Sequence, residues 1–301
     1  MGRRRRGQPV HGWLVLDKPV GPTSTDMVNR ARRLLDAQKA GHAGTLDPLA
    51  SGILPIAFGE ATKCVPLLND ATKVYRFTVR WGVQTTTDDA EGEALAESDI
   101  RPAPAAIGAA LATFTGRIMQ TPPTFSAIKV NGQRAYDLAR AGAPPDLPPR
   151  EAEIHGLVHI DDPDPDHSRF EMRSGKGVYV RSLARDLALA LGARGHVAEL
   201  RRTAVGPFRE NTAISLDDFV SLCDKRAGLE ALSPIETALD DIPALALTGE
   251  QADRLRHGQP VRVLNFTSPE AELLCVTHDR KPVALARYRS EFVEPVRVFN
   301  L

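Results

Sequence analysis

The sequence predicts an α+β protein: strands and helices interleaved through about residue 242, then a small β-rich unit over 243–301. Three observations carry this. Apolar and polar residues alternate over 74–82, with Tyr75, Phe77, Val79 and Trp81 on one face and Arg76, Thr78 and Arg80 on the other, the pattern of a half-buried strand. Apolar residues recur at helical spacing elsewhere, as in Leu183, Leu187 and Leu191. After about 243 one short helical pattern gives way to successive short strand-like runs, 260–266, 272–277, 282–288 and 294–299.

The elements follow in chain order. GWLVLD (12–17) reads as a short strand, and the turn-rich KPVGPTS follows it. Ser24 or Thr25 can cap a helix running to about 36, with Val28, Ala31, Leu34 and Leu35 on one side. Small residues and prolines crowd AGHAGTLDPLASG (40–52), which reads as a loop with tight turns, and ILPIAF (53–58) reads as a buried strand. Residues 104–115 make a helix stopped by Gly116. The stretch 120–150 reads as an excursion that ends in the proline-rich APPDLPPR. Strands are expected at 153–160 and 168–174, and a helix from about 180 with Gly192 as its stop. Helical patterns at 215–225 and 228–238 close the larger unit, and GEQADRLRHG opens the smaller one.

Composition bounds the function. The chain has 301 residues, 42% hydrophobic and 25% charged, which suffices for a sizeable core and two domains. No apolar run approaches the roughly 20 residues of a membrane span, and none of signal-peptide length follows the basic start. Cys64, Cys223 and Cys275 are odd in number, widely spaced and free of CxxC, which fits reduced thiols in a soluble, cytoplasmic protein. The formal charge is zero, but its distribution is uneven. Arg3 to Arg6 form a basic arm, and 169–202 holds eight basic residues against three acidic ones. The acids gather at 88–99 and 161–166. Such segregation suits one face toward a polyanion, or simply solvated faces.

Few residues are placed to carry chemistry. Asp47 precedes Pro48 in GHAGTLDPLASGILP, and Asp-Pro commonly only starts a turn. The functional reading is that small residues let the backbone approach a large ligand while presenting Asp47 and His42. Tyr75 opens the alternating strand, either as a core aromatic or as a platform for an unstacked base. In KGVYVRSLARDL (176–187), Tyr179 and Arg181 lie two apart at a strand-to-helix junction, and Arg181 could pair with a carboxylate and hold it ionised. His155 and His159 lack a third metal ligand at recognisable spacing, so no metal is expected. Walker, GxGxxG, HExxH and GxSxG motifs are absent.

Taken together, LDKPVGPTS (16–24), GHAGTLDPLASGILPIAFGEATK (41–63), the strand opening at Tyr75, GVYVRSLARDL (177–187) and HVAELRRTAVGPF (196–208) resemble the bacterial tRNA pseudouridine-55 synthases, the TruB family. The resemblance covers nearly the whole chain, and the 41–63 run matches in order and spacing. It implies the pseudouridine synthase fold, a mixed, mainly antiparallel sheet with flanking helices over 1–242. A PUA-like RNA-binding β-barrel over 243–301 would follow. It makes Asp47 the nucleophile, Tyr75 the aromatic stacked on a flipped uracil and Arg181 the partner of Asp47. Tyr179 and Leu200 would line the base pocket, and His42 would contact the RNA loop. Lys18 and Pro19 would support the catalytic loop. The insert at 120–150 would grip the T-arm of tRNA, with Phe125 standing where the family often has tyrosine. No cofactor is implied, because isomerisation needs no redox change and no net water. A monomer acting without a protein partner is implied too. The chemistry would flip the target uridine out of its loop, at a few kcal/mol.

Three other readings compete. One is a guide-RNA-dependent synthase working inside a complex, against which the insert argues. Another is a tRNA-binding chaperone without chemistry, against which Asp47, Tyr75 and Arg181 argue jointly. A carboxylate-dependent hydrolase would need a second acid or a metal. No candidate residue lies beyond 243, and charges over 240–301 nearly balance, so a chain cut near 240 is expected to keep its chemistry. Arg201 and Arg202 are expected to contact phosphates.

Overall fold

The computed structural model describes residues 7–130, 132–264, 266 and 272–301. The arginine run at 3–6 and residue 265 of the expected 260–266 strand lie outside them. Strand β1 (Gly12–Lys18) leads to helix α1 (Ser24–Leu34), β2 (Ala40–His42), β3 (Ala50–Phe58), α2 (Val65–Asp70) and β4 (Lys73–Trp81). A small hairpin, β5 (Val83–Thr85) and β6 (Ala94–Glu97), precedes α3 (Pro104–Leu111) and β7 (Gly116–Gln120). The insert holds β8 (Lys129–Val130), β9 (Gln133–Arg134) and α4 (Ala135–Arg140). After it come β10 (Arg150–Asp164), β11 (His167–Ser174), α5 (Val180–Ala190) and β12 (Gly195–Val205). Short strands β13 (Phe208–Arg209), β14 (Ile214–Ser215) and β15 (Leu232–Ser233), with α6 (Leu216–Asp224), complete this part.

Eleven of these strands form one mixed sheet, with the main order β14-β1-β3-β12-β4-β11-β10-β7, while β5 pairs with β6 and β8 with β9 apart from it. Most neighbours are antiparallel, but β12 runs parallel to β3 and β14 parallel to β1. The alternation of β4 is met in part: Arg76 and Arg80 are exposed, Tyr75 is half-buried and Thr78 is buried on the opposite face, while Phe77, Val79 and Trp81 are buried in one core with Met27 and Ala31 of α1, Ile107 of α3, Leu183 and Leu187 of α5 and Phe219 of α6. Phe77 stacks on Phe170 of β11 at 5.3 Å. One irregularity places the site. β12 pairs with β3 only over Leu200–Arg202, because β3 begins at Ala50, and the turn after β5 takes the place beside the start of β12, with Val197 N donating to Asp88 O at 3.0 Å.

The smaller sheet contains β16 (Ala244–Ala246), β17 (Val261–Arg262), β18 (Leu274–His278), β19 (Lys281–Arg289) and β20 (Phe292–Val298), in the order β16-β18-β19-β20-β17. Helix α7 (Gly249–Arg256) covers it through Ala252 and Leu255. The two sheets share apolar contacts: Cys275, Leu285 and Phe299 lie in one cluster with Trp13, Ile53, Cys64 and Phe208. Lys63 Nζ donates to Val298 O at 2.6 Å, and Asn300 N to Glu60 Oε2 at 2.8 Å. Cutting the chain near 240 would therefore uncover part of the larger unit's core. Burial in this seam pushes the Cys64 thiol up to about 12 and Cys275 to about 11, so both are held as neutral thiols.

Several elements depart from the sequence reading for local reasons. The cap of α1 is Thr23, not Ser24 or Thr25. Its side chain accepts from Asp26 N while the Asp26 carboxylate accepts from Thr23 N. The loop expected over 40–52 is shorter, because β2 and β3 claim its ends. Helix α3 stops at Leu111 and tightens into a 3-10 turn to Phe114. The helix expected over 228–238 is two 3-10 turns, Gly228–Ala231 and Ile235–Leu239, separated by β15. Pro234 pushes Ser233 out of helical backbone and breaks the pattern. His155 and His159 are separated by a β-bulge and face Glu153 and Asp162 respectively.

Candidate active site

Residues 43–49, between β2 and β3, are fixed from beneath by three side chains. Lys18, at the end of β1, is fully buried and donates from Nζ to Pro19 O (2.8 Å), Pro48 O (3.3 Å) and Ala50 O (2.7 Å). Ser24 is free to help because Thr23 does the capping. Its hydroxyl donates to Leu46 O at 3.0 Å and accepts from Leu46 N at 2.8 Å. Arg202 on β12 donates to Ile53 O (2.8 Å), Gly44 O (3.0 Å) and Thr45 O (3.4 Å). Glycine is required at 52, where φ is +100° and a Cβ would stand 2.2 Å from Arg202 O. Burial lowers the Lys18 ammonium to about 8, although nearby Asp47 opposes the shift.

The loop presents Asp47 to the first turn of α5. Arg181 Nη2 lies 2.9 Å from Asp47 Oδ2; the arginine side chain is 6% exposed and the aspartate 38%. The guanidinium is held by Thr87 O at 3.0 Å and Phe125 O at 2.9 Å, and its Nε lies 3.6 Å from Asp89. A buried cation fixed on several sides thus faces a carboxylate that remains open to solvent. Asp47, Tyr75, Tyr179, Arg181 and Leu200 line one cavity of about 290 Å³, with Lys73 and Ser126. Burial pushes the Tyr179 phenol up and, with Arg202, holds the His42 imidazole below its ordinary range. A larger groove, about 1060 Å³, runs along Arg76, Thr78, Arg169 and Glu171 and touches Leu200, but the Asp47–Arg181 pair does not line it.

Five of the eight residues singled out in the sequence therefore meet in one cavity. Lys18 lies beneath its loop, Pro19 is exposed, and His42 stands on β2 with Nδ1 lacking a partner among the described residues. The sequence reading missed Asp89 and Asp88, which are buried; Asp88 pairs with Arg185 at 2.8 Å. In the sequence they belong to an acidic run that reads equally as part of a segregated charge pattern or as a solvated face, and their partners on α5 lie far along the chain. The basic stretch was also misjudged. Arg202 is buried and cannot reach a phosphate, because its guanidinium is consumed by loop carbonyls. Arg201 pairs with Asp17 and Glu210, and Arg169 with Asp161.

Comparison with known proteins gives the family. Residues 32–180 match the family described as TruB family pseudouridylate synthase (N terminal domain), and 181–240 match the tRNA pseudouridylate synthase B C-terminal domain. The chain is 54% identical to the tRNA pseudouridine synthase B of Rhodospirillum rubrum over the whole of both chains. It is 59% identical to that of Gluconacetobacter diazotrophicus, over 88% of this chain and 87% of the relative. Among solved structures it is similar to a chain of a Cbf5-Nop10-Gar1 complex, with TM-score 0.76 and 26% identity, covering 100% of this chain and 91% of the other. With full-length relatives above half identity and a match running through the loop, β4 and α5, the chain belongs to the TruB family of pseudouridylate synthases.

Proposed function

We propose that this protein isomerises the T-loop uridine at position 55 of tRNA to pseudouridine, with Asp47 as nucleophile. The family makes the chain an isomerase that converts uridine to pseudouridine in tRNA. The reaction breaks the C1′–N1 bond, turns the uracil and joins C5 to C1′, while a proton leaves C5 and N1 gains one. No oxidant, reductant or net water is consumed. The observation that carries the assignment is the Asp47–Arg181 pair at 2.9 Å in a cavity walled by Tyr75. The carboxylate is the accessible partner, and the buried guanidinium compensates its charge without covering it.

The other roles follow from position. Tyr75, at the start of β4, stacks on the flipped base, a contact worth about 1–3 kcal/mol that offsets extrusion. Tyr179 and Leu200 bound the base, and His42, kept neutral by burial, meets the RNA loop. Lys18 fixes the loop beneath Asp47, with Pro19 shaping its turn. The insert grips the T-arm, and residues 243–301 act as a PUA-like RNA-binding unit beside a catalytic unit of 1–242. The enzyme works in the cytoplasm as a monomer, without cofactor or partner protein. The guide-dependent alternative is less well supported, since the chain of the Cbf5-Nop10-Gar1 complex is 26% identical while the synthase B relatives stand at 54% and 59%. Incubation with a tRNA transcript carrying tritium at uridine C5 tests the proposal. Release of one tritium per tRNA, mapped to the T-loop, is expected; no release, or release only with an added guide RNA, would overturn it.

A further inference from the structure

We propose that Gln120 is a positioning residue, through which the root of the 120–150 insert sets Tyr179 and Arg181 for reaction. Gln120 ends β7 and is 3% exposed. Its carboxamide makes two hydrogen bonds to one residue: Nε2 donates to Tyr179 O at 3.1 Å and Oε1 accepts from Tyr179 N at 2.8 Å. Tyr179 is the N-cap residue of α5, with extended backbone (φ −106°, ψ 115°) and no side-chain cap of its own. The amide thus supplies the two bonds that a neighbouring strand would give an extended residue. Only a group with a donor and an acceptor side by side can do so at this length.

The contact is one of a set. Thr121 O accepts from Ser182 Oγ at 2.7 Å and from Arg185 Nη2 at 2.9 Å, and Phe125 O accepts from Arg181 Nη2 at 2.9 Å. The first residues of the insert are therefore bonded to the opening turn of α5, from which Tyr179 and Arg181 reach the cavity. Whatever the insert does on meeting RNA is transmitted here, to the phenol beside the base and the guanidinium beside Asp47. This inference rests on the function proposed above.

Two substitutions test it. Gln120→Met keeps the volume and removes both hydrogen bonds. Gln120→Glu keeps an acceptor but, when ionised, loses the donor and turns a charge on Tyr179 O. Once protonated it again offers one donor and one acceptor, and a carboxyl buried there titrates above its ordinary range. Single-turnover rates and dissociation constants are measured on a T-arm hairpin, as ratios to wild type at each pH. Gln120→Met is expected to bind within about twofold and react about 10–100-fold more slowly. Gln120→Glu is expected to be as slow at about pH 8 and to recover toward wild type near pH 5.5, a rescue that general loosening of the fold would not give. A folded Gln120→Met protein reacting at the wild-type rate, or a Gln120→Glu ratio flat with pH, would overturn the proposal. If Gln120→Met fails to fold, the Gln120→Glu ratio decides alone. A wild-type protein that forms no pseudouridine would instead refute the function, whatever Gln120 does.

Discussion

Two segments meet around the cavity, and they are built in opposite ways. The loop at 43–49 buries Ala43, Leu46 and Leu49 and is bonded from below by Lys18, Ser24 and Arg202. Among its described residues the insert holds two two-residue strands, a six-residue helix and long exposed stretches. Its Tyr136 is 43% exposed, with Arg140 lying over the ring at 5.7 Å. On the proposed function the loop carries the attacking carboxylate, and a nucleophile must be in place before the substrate arrives. On the same proposal the insert carries the grip, and a surface that closes on folded RNA gains by adapting to it. The loop's rigidity has an internal source, two buried cations spent on backbone carbonyls.

The sharpest way to break this comparison is to remove such a cation. Arg202→Met leaves the carbonyls of Gly44, Thr45 and Ile53 without their donor. Stability should fall by about 3–5 kcal/mol in urea denaturation, with activity lost. A loss below about 1 kcal/mol would mean the loop is held by something else. Next in size is Tyr75→Leu, which should slow single-turnover reaction on a hairpin about 5–100-fold, while Tyr75→Phe keeps most of the rate. Equal rates for the two variants would reduce Tyr75 to a packing residue.

Lys18 gives a smaller effect that depends on pH. Its folded value, about 8, lies below the ordinary 10.5, so between these the folded chain holds fewer protons at this amine than the unfolded chain. From this group alone, stability rises with pH across that window. The ammonium that gathers three carbonyls is lost over the same range, so the single-turnover rate should decline as pH rises through about 8. A rate flat between pH 7 and 9.5 would contradict a role for the charge. The smallest effects belong to the insert. Tyr136→Ala and Arg140→Ala should weaken hairpin binding a few-fold and leave the saturated rate and the stability within about 0.5 kcal/mol of wild type. Removal of Arg140 should also lower the salt slope by roughly 0.7–0.9 if it meets a phosphate.

The parts of this arrangement that were legible in the sequence are those written in local period or compact motif. The alternation of Tyr75 to Trp81 gave β4 its faces, Leu183 and Leu187 gave α5 its buried side, and the small-residue run around Asp47 marked the loop. What stayed hidden depends on partners distant in sequence. Arg202 reads as one more arginine in a basic stretch until β12 comes to lie beside β3 at Gly52. Asp88 and Asp89 look like solvated acids until their turn comes to lie beside β12 at Val197, where β3 does not reach. Ser24 and Thr23 compete for one capping role, and only the folded backbone decides which hydroxyl is left for Leu46.

The central claim is that a preformed loop presents Asp47 as the attacking group, and Asp47→Asn tests it most directly. The amide keeps the shape and removes the charge. Binding of a T-arm hairpin should stay within about threefold of wild type, while single-turnover pseudouridine formation should fall by about a thousandfold or more. A folded Asp47→Asn protein that converts the hairpin at a near wild-type rate would contradict the account.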